Sequence, residues 1–503
     1  MIEYISTRDC GENKKKYSSA EAIKMGLAPD GGLFVPDKIP TLDKDEIDML
    51  CGCDYSNRAA YILSKYLTDF DPEELKEDCR AAYSEKSFEG GATQIERITF
   101  MIYSLELWHG PTAAFKDMAL QIMPRLLSRA LKMTGEKRTA LILVATSGDT
   151  GKAALEGYKD IDGIRIMVFY PNDGVSAIQK AQMTTQTGSN VNVCAIYGNF
   201  DDAQNGVKEI FSDAALRDRL DKNGYFLSSA NSINWGRLAP QIAYYVSAYC
   251  DMVNDGTIKY GEVIDVSVPT GNFGNILAAY FAKLMGVPIG KLICASNSNN
   301  VLTDFIHTGT YDRNRKFNIT ISPSMDILIS SNLERLLWLI AGPEKTSEYM
   351  KSLRETGKYT VDDHVKKAIS ENFVGYFATE NNTFEMIERN YDDFGYLFDP
   401  HSAVGFYCAE QYLIDNNYIN TQKDKKVLTV STASPFKFAT DVYSCFSEQL
   451  PENEFDAIEL LSEITHIPVP KPLCGLDNKE VRFKRSIDPK YMRDEVIDYL
   501  KIQ

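Results

Sequence analysis

The sequence predicts an α/β protein built on largely parallel sheets. Three observations predict it. Apolar runs of strand length recur from about residue 96 onward, each is followed by a turn rich in small and polar residues, and most of these turns open a helical stretch. Strand, turn and helix repeated in that order put helices on the faces of a parallel sheet, whose strands are buried on both sides.

Residues 1–95 differ from the rest of the chain. Ser18-Ser19-Ala20-Glu21-Ala22 and Pro72-Glu73-Glu74-Leu75 read as helix starts, and Ala28-Pro29-Asp30-Gly31-Gly32 reads as a turn. This predicts an N-terminal layer of helices with short strands. The strands expected after it are 140–145, 164–170, 191–197, 265–269, 291–295 and 427–430. Asp201 or Asp202 is expected to cap a helix running through Phe211, and 274–285 reads as another helix. The last stretch, 440–503, is charged and helical, with a proline-rich turn at 468–472. A length of 503 residues suggests roughly three domains. The expected division is an N-terminal domain at 1–95, a smaller α/β domain at 96–240, a larger α/β domain at 241–440, and a C-terminal extension at 441–503.

Composition excludes several function classes. The chain is 44% hydrophobic and 25% charged, with a formal net charge of -16. Such a field repels nucleic acid and anionic membranes, so neither is expected as a partner. An anionic substrate would need a local cationic or amide-rich pocket. No apolar run reaches the length of a membrane span, and residues 1–10 lack a signal-peptide run. The ten cysteines are scattered, and Cys51-Gly52-Cys53 has no second pair at zinc spacing. The five histidines are far apart. The expectation is therefore a cytoplasmic chain without a structural metal.

The turns after the strands carry the candidate chemistry, because ligands of open α/β sheets bind at strand carboxyl ends. His109-Gly110-Pro111-Thr112-Ala113-Ala114-Phe115-Lys116-Asp117 sets a lysine between an apolar ring and a helix start. Most lysines are solvated, but a desolvated one becomes a nucleophile. Thr146-Ser147-Gly148-Asp149-Thr150-Gly151-Lys152 can present amides and hydroxyls to an anion. It is not a nucleotide-binding P-loop, since Thr146 stands where glycine is needed and Ala153 where Ser or Thr is needed. Pro269-Thr270-Gly271-Asn272-Phe273-Gly274-Asn275 lets backbone approach a phosphate closely. In Asn231-Ser232-Ile233-Asn234-Trp235-Gly236-Arg237, the arginine suits carboxylate or phosphate. Thr432, in Ser431-Thr432-Ala433-Ser434-Pro435-Phe436-Lys437-Phe438, could offer a hydroxyl to a ring nitrogen. His401, in Asp399-Pro400-His401-Ser402, reads as structural rather than as a base. Each motif alone is also compatible with a capped turn that binds nothing.

Their order along the chain is more informative. The series H-G-P-T-x-A-F-K-D, A-T-S-G-D-T-G, N-S-I-N-W-x-R, P-T-G-N-F-G-N, S-M-D-I-x-x-S-S-N-x-E-R-L, D-P-H-S-A-V-G and S-T-A-S-P-x-K-F resembles threonine synthase. With Ala28-Pro29-Asp30-Gly31-Gly32-Leu33-Phe34-Val35-Pro36 it is similar to the long form of that family, over about residues 4–440. Ala114 and Ser434 depart from what many relatives carry there.

The resemblance implies a fold-type-II pyridoxal-phosphate enzyme, related to the tryptophan synthase β subunit, acting as monomer or homodimer. It implies γ-elimination of phosphate from O-phospho-L-homoserine and addition of water at Cβ, giving L-threonine, the last step of threonine biosynthesis. By position, Lys116 matches the lysine that holds the cofactor as a Schiff base. Gly271, Asn272, Phe273, Gly274 and Asn275 match the cofactor-phosphate loop, Thr432 the hydroxyl facing the pyridine nitrogen, and Asp149 a residue near the cofactor's 3′ oxygen. Thr146, Ser147 and Thr150 match the substrate-carboxylate turn, and Asn231 and Arg237 the groups near the substrate phosphate. A serine or threonine dehydratase is the nearest rival, together with a lyase acting on another phosphorylated amine. The phosphate-side residues separate the dehydratase from the synthase.

Overall fold

The computed structural model describes residues 1–173, 175–419 and 425–502, and of Asp201 the backbone only. Two sheets organise it. A six-stranded sheet has the order Phe373–Phe377, Ile289–Ser296, Ile264–Pro269, Val427–Ser431, Ile102–Glu106, Gln94–Arg97. All neighbours in it are parallel except the last pair. A five-stranded, fully parallel sheet has the order Ser486–Ile487, Val191–Ile196, Ile164–Pro171, Thr139–Ala145, Tyr225–Ser228.

The Thr139–Ala145 strand shows why such strands read as unbroken apolar runs. Ala140, Ile142 and Val144 face the main core, while Leu141, Leu143 and Ala145 face a second cluster with Met167 and Phe169. Both faces are covered, so alternation disappears. That second cluster includes Met492, Val496 and Leu500 from the C-terminal helix Met492–Leu500. The segment past 440 therefore lays a helix on the smaller sheet and adds Ser486–Ile487 to its edge.

Two strands fall outside the expected 96–240 and 441–503 division. Ile102–Glu106 belongs to the six-stranded sheet, where it pairs with Val427–Ser431, and Ser486–Ile487 belongs to the five-stranded one. Both pairings link residues hundreds of positions apart, which a linear reading of composition does not reveal. A smaller correction concerns the helix Phe200–Ser212, which is capped by Asn199, with Asp202 returning the bond from N3. The side chain of Asp201 lies outside the described residues.

The N-terminal layer holds the short antiparallel pair Tyr4–Ser6 and Phe34–Pro36 and helices such as Ser19–Met25 and Pro72–Ala82. Ser18 and Glu21 form a capping box, and Asp71 caps a helix with proline at its first turn. The layer is fastened by Trp235, fully buried against Tyr4, Tyr66 and Phe281. Trp235 begins the helix Trp235–Asn254, buried along most of its length.

Among the described residues all ten cysteines are free, and no helix is long and apolar enough to cross a membrane.

One packing contact bears on the site. Gly157, in the helix Asp149–Tyr158, lies so close to the short helix Asp117–Leu120 that a Cβ would collide with the Leu120 carbonyl oxygen. Gly157→Ala should force the two segments apart at a cost of about 1–3 kcal/mol. The measurement is the thermal unfolding midpoint, which should fall. An unchanged midpoint would show that the contact does not set the spacing.

Candidate active site

The carboxyl ends of Thr139–Ala145, Ile264–Pro269 and Val427–Ser431 open on one cavity of about 1330 Å³ between the sheets. Every site residue expected from the sequence lines it.

Lys116 sits on a loop fixed from both ends. Thr112 donates to the Asp117 carboxylate through its N–H and its hydroxyl, at 2.8 Å each. Burial pushes the Asp117 carboxyl up to about 6, against those two bonds. Ala113 adopts φ 57°, a left-handed conformation unusual for alanine. The neighbouring backbone maintains it: Phe115 N–H donates to the Thr432 carbonyl at 2.8 Å, and Ser434 N–H to the Ala113 carbonyl at 3.1 Å. The Lys116 loop is thereby tied to the loop that carries Thr432.

The Lys116 amine is nearly enclosed. Its Nζ lies 3.2 Å from Asp149 Oδ2 and 3.1 Å from Ser324 Oγ, beside the Phe115 ring. Burial lowers its pKa from the ordinary lysine value, Asp149 opposes that, and Lys437 and Arg237 reinforce it. A lysine so placed has a larger neutral fraction than a solvated one.

Asp149 begins its helix directly after the turn at 146–148. Lys437 Nζ meets its Oδ1 at 2.8 Å, and Gln179 donates to the same oxygen at 2.8 Å. Burial would raise this carboxyl, but Lys116 and Lys437 hold it well below the usual range. Gly148 has φ 140°, and a Cβ there would strike the Gln179 amide. Thr146 Oγ1 accepts from Gly148 N–H and Gly151 N–H, both at 2.9 Å. Its oxygen therefore shapes the turn, whereas Ser147 and Thr150 are half-buried on the cavity wall.

The 271–275 turn is held from outside. Ser330 Oγ donates to the Gly271 carbonyl at 2.6 Å, and Asn332 donates to the Asn272 carbonyl from Nδ2 at 3.0 Å and from its backbone at 3.1 Å. A Cβ on Gly271 would fall 2.8 Å from the Ser324 carbonyl. Phe273, at φ 61°, precedes the helix Gly274–Leu284, whose first amides are free to meet an anion. Asn275 Oδ1 accepts from the hydroxyls of Tyr244 and Tyr245, at 2.5 Å each. Its Nδ2 is thereby fixed, and it is buried without a protein partner.

Arg237, also lining the cavity, repeats that pattern. Its Nη1 donates to the Ala230 carbonyl at 2.8 Å, its Nε is buried without a partner, and burial lowers the guanidinium to about 10. Asn231 lies half-buried in the same cavity lining. Buried donors without partners are rare in native proteins and mark places where something else binds.

Three further residues enter the site that the sequence motifs did not single out for a role. Ser324 approaches Lys116 from a loop of the larger sheet's side, and its N–H donates to His401 Nε2 at 3.1 Å. His401 Nδ1 in turn meets Asp399 at 2.8 Å. His401, which also lines the cavity, thus positions the Ser324 loop. Lys437 and Gln179 are the others, both on Asp149. Ser324 and Lys437 lie within legible motifs, but the direction of their side chains is not legible there. Among the described residues no cluster of His, Cys, Asp and Glu could hold a metal.

Comparison with known proteins shows the family. A model of the threonine synthase N terminus matches residues 3–83, and the pyridoxal-phosphate dependent enzyme model matches residues 89–432. Threonine synthase-like 1 of Homo sapiens is 39% identical over 483 residues, covering 92% of this chain and 64% of that protein. The chain thus spans 64% of the length of that relative. Threonine synthase of Saccharomyces cerevisiae is 35% identical over 471 residues, covering 88% of this chain and 89% of that protein. The crystal structure of a PLP-bound threonine synthase from Brucella melitensis superposes with a TM-score of 0.86 at 34% identity, over all of both chains. The chain therefore belongs to the threonine synthase family of fold-type-II pyridoxal-phosphate dependent enzymes.

Proposed function

We propose that the chain is a threonine synthase, converting O-phospho-L-homoserine and water into L-threonine and phosphate. The observation that carries this reading is one cavity with two separate unsatisfied donors, Asn275 Nδ2 and Arg237 Nε, around one buried amine. Two anion sites suit a phosphorylated cofactor and a phosphorylated substrate. A dehydratase, whose substrate carries no phosphate, would leave the second without a purpose.

The residues present fit pyridoxal phosphate. The 271–275 turn and the Asn275 amide would hold its phosphate, Lys116 its aldehyde carbon, and Thr432 would face its ring nitrogen, with Asp149 near its 3′ oxygen. Bound there, the cofactor supplies the electron sink for carbanion chemistry. The rest falls to the chain. Ser147 and Thr150 orient the substrate carboxylate, with the Thr146 hydroxyl behind them. Arg237 and Asn231 hold the substrate phosphate as it leaves. Lys116 Nζ, held by Asp149 and Ser324, takes the proton from the substrate's α carbon, gives it back to the bound substrate and cofactor away from that carbon, and, neutral again, takes one from the β carbon. Its lowered pKa favours the neutral amine that both transfers need.

The alternative reading is a lyase. In it the same substrate loses phosphate but water is not added at the β carbon, and a keto acid and ammonia result. Assaying phosphate, threonine and keto acid together separates the two. Equal phosphate and threonine supports the synthase, and phosphate with keto acid supports the lyase.

Two variants test the anion sites. Arg237→Ala should raise the KM for O-phospho-L-homoserine by roughly 10- to 100-fold, the worth of a hydrogen bond to a charged group. An unchanged KM would remove Arg237 from the phosphate site. Asn275→Leu should weaken cofactor binding by a factor on the order of ten or more in an equilibrium titration, and unaltered binding would contradict its role.

A further inference from the structure

Two lysines, not one, face Asp149. Lys116 Nζ meets Oδ2 at 3.2 Å, and Lys437 Nζ meets Oδ1 at 2.8 Å. Their surroundings differ. Lys116 lines the cavity, with Ser324 as its only other side-chain hydrogen-bond partner among the described residues. Lys437 is fully buried, does not line the cavity, and also donates to the Thr112 carbonyl at 2.9 Å. It sits on a short 3-10 helix, Pro435–Phe438, whose first turn is fixed by Ser434 Oγ. Ser434 N–H is in turn bonded to the Ala113 carbonyl of the Lys116 loop. Lys437 is thus held in place by the same backbone link that holds Lys116.

The proposed reaction makes a demand on this trio. Lys116 must lose and regain a proton during turnover. A buried carboxylate left with no cation is strongly destabilised and takes up a proton instead. If Lys116 were its only partner, Asp149 would draw the proton Lys116 needs to give up. Nothing in the proposed reaction uses Lys437, and a second buried lysine is costly unless its charge is needed.

We propose that Lys437 is a positioning residue that acts through Asp149: it is the permanent counter-charge that keeps this carboxylate ionised while the Lys116 amine changes its protonation state. The charged groups around the trio are few. Arg237 and Lys437 bear on Lys116, His401 on Asp149, and Lys437 and Glu156 on Asp117 behind the loop. Among the described residues only Asp149 forms an ion pair with both lysines. The inference rests on the reading that Lys116 is the proton-carrying amine, but its test does not depend on turnover.

The test measures, in the cofactor-free full-length chain, the pH at which Lys116 becomes half-reactive toward a small acylating reagent, read by peptide mass spectrometry. Removing Lys437 leaves Lys116 paired alone with Asp149, so Lys437→Met should move the midpoint up by at least about one pH unit, a tenfold change in free amine. Lys437→Arg keeps the charge and should leave the midpoint near the parent's. Asp149→Asn leaves Lys116 facing a cation and should move it down. The double variant Asp149→Asn, Lys437→Met removes one charge of each sign, and its midpoint should return toward the parent's. A purely structural role would change the melting temperature of these proteins without moving the midpoints in opposite directions. Unchanged midpoints in folded Lys437→Met would overturn the inference. If that variant does not fold, a double variant whose midpoint stays with Asp149→Asn would overturn it.

Discussion

Asp149 is a buried carboxylate with an ammonium group on each oxygen, and the geometry of the site depends on keeping it there. Left alone in this environment it would be destabilised by several kcal/mol. Lys116 at 3.2 Å and Lys437 at 2.8 Å remove that penalty. Each cation comes from a different part of the chain, and Asp149 itself begins a third segment. Satisfying one charge therefore fixes the relative positions of the Lys116 loop, the 146–149 turn of the smaller sheet and the loop after Val427–Ser431 of the larger one. Backbone bonds between Phe115 and Thr432 and between Ser434 and Ala113 complete the junction.

Around that junction two stretches of the cavity lining are built in the same way. On each, the protein's own groups hold a polar side chain in place and leave one of its buried donors unpaired beside the cavity. Tyr244 and Tyr245 do this for Asn275, and the Ala230 carbonyl does it for Arg237. Pre-placed donors of this kind need no reorganisation when an anion arrives. The close glycines serve the same end: Gly271 lets the turn approach the Ser324 loop, and Gly157 lets the helix of Asp149 approach that of Lys116.

Much of this is legible in the sequence, for a physical reason. Strands buried on both faces leave unbroken apolar runs, and the turns after them carry short motifs whose residues act close to where they are written. Lys116, the 271–275 turn and the family can be read that way. What cannot be read depends on contacts between distant segments. Ile102–Glu106 gives no sign of pairing with Val427–Ser431, nor Ser486–Ile487 with Val191–Ile196. Ser324 reaches Lys116 only because His401 and Gly271 shape its loop. Lys437 stands in the motif that carries Thr432, but a lysine's letter does not say whether it points to solvent or to a buried carboxylate. Thr146 stands in a legible motif, but that its oxygen accepts from two N–H groups of its own turn is not legible there.

Our central claim is that Lys116, and not its buried neighbour, holds the cofactor. Reduction of the pyridoxal-phosphate-loaded protein with borohydride, followed by peptide mapping, tests it most directly. One pyridoxyl group per chain is expected, on the peptide containing Lys116. A pyridoxyl group on Lys437 or Lys152, or none on any lysine, would contradict it.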